Sequence, residues 1–211
     1  MSDFRRWLAR LAAVASLVAL AACVEEATAI PGAPSDYIVV SDFAVPAGAV
    51  RLDPSFGFSL YRGEPGVPPE RRAASIGRAV AFLVTDTITD RLRALGYSAV
   101  STIDQAPQTG KRALLVSGTL RLIDEGSRRH PSEMRSAVAG DVAIRAEVPG
   151  LGVQPVQSFA VDSRTAPPVA LAGAVTRNEA GVDADATRIG LQIAGVVAEV
   201  ARRNNWVPAT R

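Results

Sequence analysis

Two side chains with chemistry near neutral pH stand apart in this 211-residue chain, each the only one of its kind: the thiol of Cys23 and the imidazole of His130. A lone thiol can be a nucleophile or an acyl acceptor, but it can form no intramolecular disulfide and no multi-cysteine zinc site. A lone imidazole is the natural general acid–base group near neutral pH. His130 sits in a charged stretch with Asp124, Glu125, Arg128 and Arg129. That grouping has two readings: a small site for an anionic ligand or acid–base pair, and a solvated hairpin loop whose charges cancel. The second is preferred, since charged loops are usually solvated and no motif marks a partner nucleophile for His130.

Other catalytic arrangements find no support in the residues. There is no G-x-S-x-G elbow, no H-E-x-x-H, no P-loop and no G-x-G-x-x-G opening a helix after a strand. A hydrolase acting on cell wall or carbohydrate would draw on Asp124 and Glu125. Adjacent strand residues point to opposite faces, so those two make a poor carboxylate pair. The expectation is a chain that is not an enzyme, with no catalytic residue, no cofactor and no metal site assigned.

Cys23 belongs to a different pattern. Arg5, Arg6 and Arg10 precede an uncharged apolar run, Leu11 to Ala22, that is too short to cross a bilayer. A basic start, an apolar middle and small residues at the end describe a secretory signal peptide. Leu20, Ala21, Ala22 and Cys23 resemble the bacterial lipobox at every position. The resemblance implies cleavage between Ala22 and Cys23, acylation of Cys23, and anchoring to a membrane through those acyl chains. Val24 is not the aspartate that retains such lipoproteins at the inner membrane, so it points to the outer membrane of a Gram-negative envelope, facing the periplasm.

Cleavage there changes the charge balance. Removing three arginines and one aspartate from totals of 23 basic and 21 acidic residues leaves 20 of each. A neutral remainder with one lysine, Lys111, lacks the concentrated basic face that nucleic-acid binding requires. The expected organisation is a signal peptide over 1–22, an acylated tether over 23–36, and one globular domain over 37–208.

The elements of that domain follow from periodicity. Tyr37–Val45 is β-branched, aromatic and nearly continuous in apolar character, as a strand covered on both faces would be. In 71–95, Ile76, Val80, Leu83, Val84, Ile88, Leu92 and Leu95 recur every three or four residues, and Gly96 follows as a C-cap. Strands are expected at 97–103, at 112–123 with Leu114, Val116, Leu120 and Leu122 on one parity, at 141–148, and at 156–163. A second helix is expected over 183–203, capped by Asp183 or Asp185, with Ile189, Ile193, Val196, Val197 and Val200 inward. Gly190 and Gly195 within it suggest close packing against the sheet, with Trp206 and Val207 sealing the core edge. Phe56, Phe58 and Leu60 alternate in a long stretch read as a loop or edge strand and not as a membrane-spanning strand. The expected fold is α+β: a single, mainly antiparallel sheet, order β-α-β-β-β-β-α, with two helices packed on one face.

Three segments carry a family resemblance: "VVSDF" at Val39–Phe43, "RLRALGY" at Arg91–Tyr97 and "LLVSGTLRLIDEGS" at Leu114–Ser127. Together they resemble DUF4410, a set of Gram-negative lipoproteins without an assigned activity. The resemblance implies an envelope lipoprotein whose partners are the membrane, through Cys23, and another envelope protein. More distantly the element order looks like periplasmic domains of secretion and transport-accessory lipoproteins, which implies an oligomeric accessory as the second reading.

Overall fold

Strict alternation of apolar and polar residues builds the best-formed part of the molecule. The computed structural model describes residues 37–53, 67–102, 112–127, 135–166, 181–204 and 206. Within them β4 (Ala113–Asp124), β5 (Ala137–Val148) and β6 (Gly152–Asp162) form an antiparallel meander. In β5 the even positions Val138, Val142, Ile144, Ala146 and Val148 are buried in one cluster, while Asp141 and Arg145 face solvent. That is the period-2 pattern of a sheet with one packed face.

The other half of the sheet corrects the expectation of a mainly antiparallel arrangement. β1 (Tyr37–Val40) pairs in parallel with β3 (Ala99–Ser101) on one side and with β4 on the other. A further short strand, β2 (Val50–Arg51), is parallel to the end of β4. The result is one mixed six-stranded sheet, order β3-β1-β4-β5-β6, with β2 on β4 beyond β1. The physical reason is α1 (Pro69–Ala94), which lies between β2 and β3 in the chain. A helix returning the chain to its starting end makes the next strand parallel to β1, not antiparallel. β3 and β4 are not neighbours; β1 lies between them.

α1 and α2 (Val182–Arg203) share the apolar cluster with the sheet. Val80, Val84, Ile88 and Leu92 from α1, and Ile189, Ile193, Val197 and Val200 from α2, are essentially inaccessible. They meet Ile38, Val40, Leu114, Val116, Leu120 and Ile123, so both helices cover one face. Trp206 is buried at the edge of the same core. Val207 lies outside the described residues.

Three local details depart from the sequence reading. The ladder between β4 and β5 shifts register between Leu120 and Leu122. This bulge takes Leu122 off the packed face and brings Ile123, opposite Val138, into the core. Gly190 packs on α1 and not on the sheet: a Cβ there would fall 2.9 Å from Thr87 Cβ and Cγ2. Gly195 is exposed, with nothing within 4 Å of an added Cβ.

The end of α1 follows expectation. Gly96 takes φ 90°, its N–H donates to the Arg93 carbonyl at 2.9 Å, and the Tyr97 N–H donates to the Leu92 carbonyl at 3.0 Å. Those two bonds form a Schellman motif, which satisfies carbonyls that the helix end would leave open.

Candidate functional site

Strand direction brings Glu125, Asp162 and Asp185, each with an arginine partner, to one end of the domain. β2 and β4 end there, β5 begins there, β6 ends there, and both helices start there. Of the residues singled out in the sequence, Asp124 and Glu125 are placed at this end. Arg128, Arg129 and His130 lie outside the described residues, as do Ala22 and Cys23.

Glu125 is not a solvated loop carboxylate. Its Oε2 accepts from Arg72 Nη2 at 2.5 Å and from the Asp53 backbone N–H at 3.0 Å. Its own N–H donates to the Arg51 carbonyl at 3.0 Å, continuing the β2–β4 pairing. Both side chains of the ion pair are largely covered, 18% exposed for Arg72 and 14% for Glu125. One carboxylate thus ties the first turn of α1, the chain after β2 and the end of β4. Asp124 turns back locally, its Oδ1 accepting from the Gly126 N–H at 2.8 Å. Gly126 has φ 67°, which a residue with a Cβ adopts only with strain.

A second polar cluster went unread in the sequence. Asp185 is buried and does not cap α2; the N-cap position is Gly181, with no side-chain cap bond. Its Oδ2 accepts from Ser136 Oγ at 2.7 Å, and its Oδ1 pairs with Arg188 Nη1. Arg188 also reaches the Ser163 carbonyl at 3.3 Å, and Ser163 Oγ accepts from the Val138 N–H at 3.1 Å. The cluster therefore joins α2 to β5 and β6. Its signal in the sequence is the Asp185–Arg188 spacing, one helical turn apart on one face. Ser136 and Ser163 carry no signal of this kind; only the fold brings them in.

The surface ion pairs set the charge state of nearby acids. Arg164 donates to both oxygens of Asp162, at 3.1 and 2.8 Å, and holds that carboxyl below the usual range. At the other end, Arg202 and then Arg203 donate to Glu199 and push it down to about 2. Burial raises the Tyr97 phenol, opposed by Arg202. Its hydroxyl lies 3.4 Å from the Ala198 carbonyl. Among the described residues no three His, Cys, Asp or Glu side chains gather as metal ligands would.

These observations define a two-layer α+β domain in which two covered acids, Glu125 and Asp185, pair with arginines and join a helix to strands. No family model matches the chain, and no curated protein does. Among solved structures it is similar to the PelC dodecamer from Paraburkholderia phytofirmans, at 13% identity over 80% of this chain and 90% of that one, TM-score 0.37. It is also similar to an uncharacterized protein, at 12% identity over 85% of this chain and 99% of that one, TM-score 0.32.

Proposed function

We propose that this chain is a lipoprotein of the outer membrane, held on the periplasmic side by an acylated Cys23, whose domain is a non-enzymatic binding or scaffolding body for another envelope component. The observation that carries the reading is Leu20-Ala21-Ala22-Cys23, placed at the end of an uncharged run that follows three arginines. One acyl chain holds a protein only marginally, whereas two or three anchor it stably. The resemblance of Val39–Phe43, Arg91–Tyr97 and Leu114–Ser127 to DUF4410 lipoproteins agrees with this reading.

The folded domain supplies a second line of support. Glu125 and Asp185, both largely covered, each hold an arginine and tie a helix to strands. Those two carboxylates are committed to the fold and not free for proton transfer. The test is metabolic labelling with a fatty acid. Cells making the chain are expected to incorporate label, and Cys23→Ala is expected to abolish it. Label retained by Cys23→Ala, or never incorporated, rejects the anchor.

A further inference from the structure

The end of the domain opposite Glu125 and Asp185 is where β1, the first described strand after Cys23, begins. Residues lie in register across four strands there: Tyr37 opposite Ala113, Ala113 opposite Glu147, and Glu147 opposite Val153. Three strand spacings separate Tyr37 from Val153, about 14 Å. Among the described strands, the β5–β6 hairpin continues outward from this row, carrying Leu151 roughly 6 Å further at the strand rise.

That hairpin tip is apolar and exposed. Leu151 is 58% and Val153 49% exposed, and Leu95, at 38%, ends α1 at the same end of the domain. From Val148 to Pro155 the chain carries no charge. Single exposed apolar residues are ordinary. This pair is set apart by its position on the end that the tether reaches.

The backbone of the tip makes two local hydrogen bonds. Leu151 N–H donates to the Val148 carbonyl at 3.0 Å, closing a turn with Pro149 and then Gly150 at φ 83°. These are the residues and the φ of a type II turn. The Leu151 carbonyl accepts from Gln154 Nε2 at 2.9 Å. Polar backbone groups without partners are costly in lipid, and both the N–H and the carbonyl of Leu151 find theirs within the tip. Arg91 and Arg93 close α1, and Arg202 and Arg203 close α2, at this end, where Arg93 pairs with Asp90 and Arg202 and Arg203 share Glu199.

We infer that the Pro149–Val153 hairpin tip is a second membrane contact, inserting Leu151 and Val153 into the interfacial region of the bilayer that Cys23 anchors. The inference rests on the proposed anchor for its geometry. The segment 24–36 spans at most about 43 Å when extended, so an anchored domain keeps the tip within reach of the surface. Tethering makes the docking step intramolecular, at an effective concentration on the order of millimolar. Two side chains too weak to bind a membrane alone then hold the domain in one orientation. The end with Glu125 and Asp185, where both helices start, faces away from the lipid.

The test couples the mature chain, residues 23–211, through the Cys23 thiol to a maleimide-bearing phospholipid. The vesicles contain phosphatidylethanolamine and phosphatidylglycerol, so contact is measured whether or not cells acylate Cys23. Leu151→Trp reports from the tip and Ser75→Trp from the exposed start of α1, each against the buried Trp206. With brominated lipid, the Leu151→Trp signal is expected to shift blue and to be quenched at least twofold more than that of Ser75→Trp. An indole favours interfaces by itself, so the tip is also measured with Val153→Asp added, which is expected to bring quenching to the Ser75→Trp level. Equal quenching at the two ends, or quenching indifferent to Val153→Asp, overturns the inference. Emission already blue-shifted and concentration-dependent before vesicles are added places a second copy on the tip and overturns it too. Fatty-acid labelling in cells tests the anchor separately, so the two failures are distinguishable.

Discussion

Arg72 in the first turn of α1 and Glu125 just past the end of β4 form a covered ion pair across 53 residues of sequence, and the same Glu125 oxygen takes the Asp53 N–H. Removing one partner leaves the other charge largely out of water. That asymmetry makes breaking such a pair much more costly than its net attraction suggests. Arg72→Ala and Glu125→Ala are each expected to destabilise the domain by about 2–3 kcal/mol. For a chain of this size that lowers the melting temperature by roughly 5–10 °C. The double variant is expected to lose less than the sum, with a coupling of about 1 kcal/mol or more by denaturant unfolding. Strict additivity would show that Glu125 is the solvated loop residue its sequence setting suggested.

What was legible in the sequence is what depends on local period. The stripe Val80, Val84, Ile88, Leu92 and the alternation Val142, Ile144, Ala146 can be seen without knowing the neighbours, because burial of one face imposes them. Strand direction was not legible, since β1, with only Ile38, Val39 and Val40 buried, reads alike in a parallel or antiparallel pair. β2 is two residues long, below any period. The Leu120–Leu122 bulge exchanges Leu122 for Ile123, two apolar residues that composition cannot rank. Glu125 and Asp185 looked like loop and cap residues because their partners, Arg72 and Ser136, are remote in sequence.

The two glycines of α2 make opposite predictions. At Gly190 a methyl group would meet Thr87 at 2.9 Å and the Val84 carbonyl at 3.3 Å, so α1 and α2 would have to separate. Gly190→Ala is expected to cost about 1 kcal/mol or more, since overpacking outweighs the gain in helix propensity. Gly195 faces open space, and Gly195→Ala is expected to stabilise by about 0.5–1 kcal/mol. Both are read as a shift in the urea midpoint at constant slope. A stabilising Gly190→Ala would mean that the helices do not touch there.

Acid sensitivity follows from Glu199 and Asp162. Arg202 and Arg203 push Glu199 down to about 2, and Arg164 lowers Asp162. Both carboxyls bind protons more readily unfolded than folded, so stability rises with pH across the interval between the two values. The contribution is complete above the unfolded range, near pH 4.5 for Glu199, and is lost as pH falls toward 2. Glu199 is an exposed group, so its share is small and is screened by salt. Glu199→Gln with Asp162→Asn is expected to flatten the fall in melting temperature between about pH 4.5 and 2. The difference from the parent should shrink in 1 M salt. An unchanged pH profile at low salt would show that these arginines do not hold the two acids in solution.

Asp185 separates a cap from a buried tie. A capping aspartate at this position would serve only α2, and asparagine or serine would replace it at a few tenths of a kcal/mol. The observed carboxylate instead accepts from Ser136 Oγ at 2.7 Å while pairing with Arg188, which reaches the Ser163 carbonyl. Asp185→Asn keeps an acceptor for Ser136 but places an amide against the guanidinium, so it is expected to cost about 2 kcal/mol. Asp185→Ala removes both bonds and is expected to cost more, about 3 kcal/mol. Ser136→Ala leaves the ion pair in place and is expected to cost about 1 kcal/mol. Amide hydrogen exchange adds a spatial readout. Val138 N–H is held by Ser163 Oγ and the Ser163 N–H by the Val138 carbonyl at 2.9 Å. Both amides are expected to lose protection in Asp185→Ala, because Arg188 then has no anchor from which to hold the Ser163 carbonyl. A loss confined to the first turn of α2 would return Asp185 to the role of a helix cap.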